Sequence, residues 1–207
     1  MGFPLKKSVL NLTVSILREK GLGRNTLGWI RANAGKRSER IIVIGAHLDH
    51  IGYGKASSRA KKSQKGKMHP GADDNASGIS ALLEIAEYLM ALKKKGLLKS
   101  NYDILIAAWS GEEIGLLGSA HFTRVLGLGK SQGKKRKVIS YLNLDMVGRY
   151  KDKLTLHGIG SSPAWKKLIQ RANIPVGLNL NLQKDSHIPT DTTSFFPKGV
   201  PILSAFT

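Results

Sequence analysis

Cysteine is missing from all 207 residues, so neither disulfides nor thiolate metal ligands are available, and the redox compartment is left open. Long apolar runs are missing too: none approaches the ~20 residues a membrane-crossing helix needs. Lys6 and Lys7 precede Val9–Leu17 in the manner of a signal peptide. Within that stretch, however, Leu10, Leu12, Val14 and Ile16 alternate with Asn11, Thr13 and Ser15, the pattern of a strand with one wet face rather than a targeting segment. Acid is also scarce, with 14 acidic residues against 33 basic ones and a net charge of +19. Two stretches carry much of the excess: Lys55–Lys67, which has no acid, and Lys130–Lys137, which includes Lys134-Lys135-Arg136-Lys137. They read as solvated loops or as contacts with nucleic acid or another anionic surface. No aromatic residue interleaves with either run, which argues against single-strand binding.

The few acids are concentrated. Six of the fourteen (Asp49, Asp73, Asp74, Glu112, Glu113 and Asp145) fall in short motifs. Carboxylates packed in this way repel one another unless a cation or a proton offsets the charge.

The chain is long enough for one domain with a real core, and it shows no internal repeat and no dividing linker. Residues 8–17 and 25–33 read as two antiparallel, half-exposed strands joined by a turn at Gly21–Asn25. The β-branched run 41–46, together with 103–109 and 138–144, reads as strands buried on both faces. Apolar residues at helical spacing mark 76–95, with Lys93–Lys95 suited to its negative end and Gly96 stopping it. Further helices are expected at 115–126, 162–172 and, briefly, 190–196, and strands at 154–157, 176–182 and 200–206. This alternation predicts a three-layer αβα sandwich around a mostly parallel mixed sheet.

The stretch Gly71-Ala72-Asp73-Asp74-Asn75-Ala76-Ser77-Gly78 places two carboxylates between glycines, just before the first long helix. The glycines permit a tight turn, and Asn75 or Ser77 can cap the helix. A carboxylate held on such a loop, Asp73 in this reading, has two oxygens and could bridge two cations. His47, Glu112/Glu113 and Asp145 each follow the end of a buried strand, where open α/β sheets bind their ligands. One imidazole with several carboxylates and no thiolate suits zinc or a similar divalent ion. Of the adjacent pair Glu112 and Glu113, one can ligate while the other handles a proton. Asp49, two residues past His47, could accept the second imidazole N–H.

Gly45-Ala46-His47-Leu48-Asp49, Pro70–Gly78, Ser110–Ser119 and Asn143-Leu144-Asp145-Met146 together resemble the di-zinc aminopeptidases, the metallopeptidase family of the leucyl and aminopeptidase Y-like enzymes with carboxypeptidase and glutaminyl-cyclase relatives. The resemblance covers about residues 25–207. It implies a zinc-exopeptidase fold, a peptide substrate and two zinc ions. His47 and Asp145 would hold one ion and Glu113 the other, with Asp73 bridging. Glu112 would be the general base and acid, and Asp49 would orient His47. The peptide bond after the bridging aspartate is expected to be cis, between Asp73 and Asp74. The family also supplies a histidine to the Glu113 ion, downstream of a strand that here is Gly199–Phe206. No histidine follows before Thr207, and His187 is not at the ligand position. The resemblance therefore predicts a single catalytic domain, 1–207, lacking upstream sequence and incomplete at its C-terminal end, with a weakened second metal site and low activity. Carboxypeptidase, amidohydrolase or cyclase chemistry on the same scaffold is an alternative, as is a non-catalytic basic binding protein. The family is commonly exported, but this chain shows no signal segment.

Overall fold

The computed structural model describes Thr13 and residues 21–32, 38–54, 66–126 and 137–207. The strand expected at 8–17 and most of both basic runs lie outside the described residues. The strands are β1 (Thr26–Ile30), β2 (Arg40–His47), β3 (Asp103–Trp109), β4 (Lys137–Leu144), β5 (Leu154–His157), β6 (Leu180–Leu182) and β7 (Ile202–Phe206). Three helices accompany them: α1 (Gly78–Lys94), α2 (Leu117–Val125) and α3 (Ala164–Asn173). Among the described residues the strands form one open sheet in the order β1-β3-β2-β4-β7-β5-β6. β3, β2, β4 and β7 run parallel at its centre, and the antiparallel pairings are β1 with β3 and β5 with β7.

The centre of the sheet is buried because its strands are apolar on both faces. One face packs Ile79, Leu82, Ile85 and Leu89 of α1 over Ile30, Ile44, Ala46 and Ile104. The other packs Phe122 of α2 and Phe195 over Ile41, Val43, Leu105, Trp109, Tyr141 and Ile202. This is the expected three-layer sandwich. Gly45 lets the layers close: a Cβ there would lie 2.5 Å from Trp109 Nε1. That indole donates to Tyr141 Oη (2.9 Å), which donates to Asn143 Oδ1 (2.6 Å), so the polar groups beneath the sheet rim are partnered.

β1 pairs antiparallel with β3, with Ile30 opposite Ile104, while the pairing expected with 8–17 falls outside the described residues. Two boundaries differ from expectation. β6 is shorter than 176–182 because Asn173 captures Leu178, accepting from its N–H (2.9 Å) and donating to its carbonyl (2.8 Å), which removes that segment from the ladder. The helix expected at 190–196 is two short 3₁₀ turns, Asp191–Ser194 and Phe196–Lys198.

Candidate metal centre

β2, β3 and β4 are parallel neighbours with His47 opposite Trp109 and Gly45 opposite Asn143. Their carboxyl ends are therefore level. His47 ends β2, Glu112 and Glu113 follow β3, and Asp145 follows β4. The loop into α1 enters the same rim. Ala76 N–H bonds back to Gly71 O (3.0 Å), closing a wide turn, and Asn75 Oδ1 caps the helix by accepting from Gly78 N–H (3.0 Å). The same Asn75 is tied to β4 through the carbonyl of Leu144 and the N–H of Met146.

His47 is 2% exposed. Its Nδ1 lies 3.0 Å from the Asp49 carbonyl, so in the neutral ring the proton belongs on Nδ1 and the lone pair on Nε2. That Nε2 lies 3.2 Å from Asp74 Oδ1 and 3.4 Å from Asp145 Oδ1. Ligand atoms at the corners of a tetrahedron with bonds of ~2.0 Å are about 3.3 Å apart, so the spacing fits a small divalent cation. A second group faces it: His50 Nδ1 is 2.7 Å from Glu113 Oε1 and 3.9 Å from Asp74 Oδ2. Among the described residues these are the two clusters of nitrogen and carboxylate donors able to hold a metal, and Asp74 belongs to both. The donor set, imidazole and carboxylate without sulfur, is one that zinc accepts.

Electrostatics point the same way. Burial alone would pull the His47 imidazole below its usual range, but the hydrogen bond and charge of Asp145, with Glu112 adding, raise it to about 9. Burial, reinforced by the charges of Asp191, Asp145 and Glu113 and opposed by His47, pushes the Glu112 carboxyl up to about 7. A proton thus occupies a site whose surroundings favour positive charge. Glu112 is poised to carry a proton near neutral pH.

The structure corrects the expectation for Asp73. Its Oδ1 accepts from Gly148 N–H (2.9 Å), and Arg149 Nε pairs with Oδ2 at 3.0 Å, though without the alignment of a hydrogen bond. Asp73 therefore braces the loop after β4, while the turn directs Asp74 between the two histidines. The cis peptide bond likewise lies between Asp74 and Asn75 rather than between Asp73 and Asp74. The reading of Asp49 also changes. Its backbone carbonyl, not its carboxylate, orients His47. The carboxylate accepts from the N–H groups of Glu112 (3.1 Å) and Glu113 (3.3 Å), clamping the loop after β3.

Two residues escaped the sequence reading. His50 sits one position past Asp49, and the repeated histidine in His47-Leu48-Asp49-His50 was the available signal. Asp191, 1% exposed, has no hydrogen-bond partner on either oxygen. Burial, opposed by the nearby Ser119 hydroxyl and by His47 and reinforced by the charges of Asp145 and Asp49, raises its carboxyl to about 6. An acid between threonines in a short helix gave no hint of that burial.

Comparison with known proteins places the chain. The profile of Peptidase family M28 matches residues 26–207. An aminopeptidase of Pseudomonas aeruginosa PAO1 is 32% identical over 139 residues, covering 67% of this chain and 21% of that protein. The alkaline phosphatase isozyme conversion protein of Escherichia coli K12 is 30% identical over 191 residues, covering 84% of this chain and 51% of its own length. The chain thus spans about a fifth to a half of these relatives. Among solved structures, BSAP, a zinc aminopeptidase from Bacillus subtilis, superposes with a TM-score of 0.64 at 24% identity over 88% of this chain and 39% of that one. Porphyromonas gingivalis glutaminyl cyclase superposes with a TM-score of 0.58 at 21% identity over 87% and 62%. At these identities both show a shared fold.

Proposed function

The chain belongs to peptidase family M28, and from that premise we propose that it carries the catalytic centre of a zinc-dependent aminopeptidase, which hydrolyses the peptide bond next to a free N-terminus. The aminopeptidase names of its relatives support the substrate class. The observation that carries the reading is the position of Asp74, with Oδ1 3.2 Å from His47 and Oδ2 3.9 Å from His50, grouped with Asp145 on one side and with Glu113 on the other, at the carboxyl ends of three parallel strands.

In this reading His47 and Asp145 would hold one zinc and Glu113 a second, with Asp74 placed to serve both. When bound, the ions supply Lewis-acid activation of a water and of the scissile carbonyl. The protein supplies the rest. Glu112 takes the proton of the attacking water and returns it to the leaving amine, a task suited to a carboxyl raised to about 7. Asp49 fixes that glutamate's backbone, and the Asp49 carbonyl keeps Nε2 of His47 turned to the cation. Asp73 with Arg149 steadies the loop that follows Asp145.

The test is zinc content and turnover of a leucyl-anilide before and after Glu112→Gln. The variant should bind zinc as the parent does and lose about 10²- to 10⁴-fold in turnover. Unchanged turnover at full zinc would remove Glu112 from the mechanism. A folded parent that takes up no zinc would remove the metal reading altogether.

A further inference from the structure

We infer that the groove between α2 and the turn before β1 holds the part of a peptide substrate that follows the scissile bond, and that Arg124 receives its C-terminal carboxylate. This rests on the aminopeptidase reading above and narrows it to short peptides with a free C-terminus.

The groove opens at the metal centre, where His50 and Gly111 line it, and runs along α2 to Arg124 and Val125. Its volume of about 1360 Å³ exceeds the ~300–1,000 Å³ of a small-molecule pocket and suits a length of chain. Its walls carry Leu22, Leu27, Ile114 and Leu117, which are 99%, 41%, 74% and 53% exposed, so large apolar side chains face water along one line. The frame is braced. Asn25 donates to Gly118 O (2.9 Å) and accepts from Ser110 N–H (3.1 Å), joining the turn before β1, the end of β3 and the start of α2. A Cβ at Gly118 would lie 2.3 Å from Asn25 Oδ1, so glycine sets the close approach of the two walls.

The aminopeptidase reading sets the N-terminal residue at the rim and the leaving amine beside Glu112. The chain beyond that amine continues along the loop after Glu113, which carries Ile114 into the groove. Positive charge stands at the far end. Arg124 is exposed, and its Nη2 donates to Nδ1 of His121 (3.1 Å), which leaves the ring's Nε2–H as a further donor to an anion. Among the described residues that line the groove, Asp49 alone is acidic, and its carboxylate is engaged by the N–H groups of Glu112 and Glu113. The lining therefore offers Arg124 no carboxylate of its own, and the complementary group is a carboxylate on the occupant. The spacing sets a length. From Leu117 to Arg124 the helix advances about 10 Å, at ~1.5 Å per residue. An extended peptide covers that in about three residues at ~3.3–3.6 Å each.

The experiment compares peptides of leucine followed by one to five alanines, each as the free acid and as the C-terminal amide, with leucyl-anilide turnover as the reference in every protein. The parent should favour the acid over the amide by about 3- to 10-fold in kcat/KM, through KM, and most at about three alanines. Arg124→Gln should bring the acid down to the amide at every length, and Arg124→Lys should restore part of the difference. Arg171→Gln, an exposed arginine of α3, should keep the parent's preference. Leu22→Ser should raise KM for acid and amide alike. If the parent turns over leucyl-anilide yet treats acid and amide alike at every length, or if Arg124→Gln keeps the preference, the inference is overturned while the aminopeptidase reading stands. If the parent turns over neither anilide nor peptide, that reading falls, and this inference with it. Sedimentation tests the rival occupant: a dimeric parent that becomes monomeric in Leu22→Ser would assign the groove to a second copy of the chain and overturn the inference.

Discussion

Loading the rim with metal should expel protons, and the structure sets how many. In the metal-free protein His47 titrates at about 9, because Asp145 and Glu112 outweigh its burial. Two units above pH 7, that places the imidazolium ahead of the neutral ring by roughly 100 to 1. A ligand nitrogen must be unprotonated, so each zinc entering the His47–Asp145 group at pH 7 displaces close to one proton. Glu112, at about 7 and beside an arriving cation, adds up to about half a proton more. The cost at pH 7 is of order 3 kcal/mol, about two units at 1.36 each. Because the folded value is raised, the cost is present below about 9 and vanishes above it. Apparent affinity should therefore climb close to tenfold per pH unit from 7 to 9 and then level off. Calorimetry in two buffers of different ionisation enthalpy reads the proton count directly, and a chelator-buffered titration reads the slope. In Asp145→Asn the strongest of the influences that raise His47 is gone while the Glu112 charge and the Asp49 carbonyl remain, so proton release at pH 7 should fall even as zinc binds more weakly. A parent that binds zinc with no proton release and the same affinity at pH 7 and 9 would refute the reasoning.

Two further outcomes follow from the geometry. Asp74→Asn should weaken both ions together, whereas Asp73→Asn, whose carboxylate faces Gly148 and Arg149, should leave zinc stoichiometry at the parent value; elemental analysis after dialysis decides between them. Asp191 is buried without a partner and raised to about 6, so in metal-free protein ionising it costs stability, of order 3 kcal/mol across about two units. That penalty is absent below about 3.8, grows as pH rises toward 6 and is constant beyond, so Asp191→Asn should unfold at a higher temperature than the parent above pH 6 and converge with it near pH 4. A difference in melting temperature that does not change with pH would rule this out.

The scaffold was legible in the sequence because its causes are local. A β-branched run followed by a polar residue marks a central strand and its active end, and three such ends put His47, Glu112/Glu113 and Asp145 on one rim. What the sequence could not settle depends on backbone direction. Asp73 and Asp74 are chemically identical neighbours, and only the turn closed from Gly71 to Ala76 determines which of them faces the histidines. Asp49 was rightly placed beside His47, but composition does not distinguish a carbonyl from a carboxylate as the group that orients an imidazole. His50 becomes visible only when Gly71 leaves room for its ring, and Asp191 only when packing has buried it.

The grip of Asp49 on Glu112 and Glu113 joins two segments that lie 63 and 64 positions apart in the chain. For anyone redesigning this rim, residues 49–50 and 112–113 form one unit of variation. Libraries that randomise either segment alone would mostly sample broken pairings, and swaps that transplant both at once from a related chain would keep the mouth of the catalytic cleft in register.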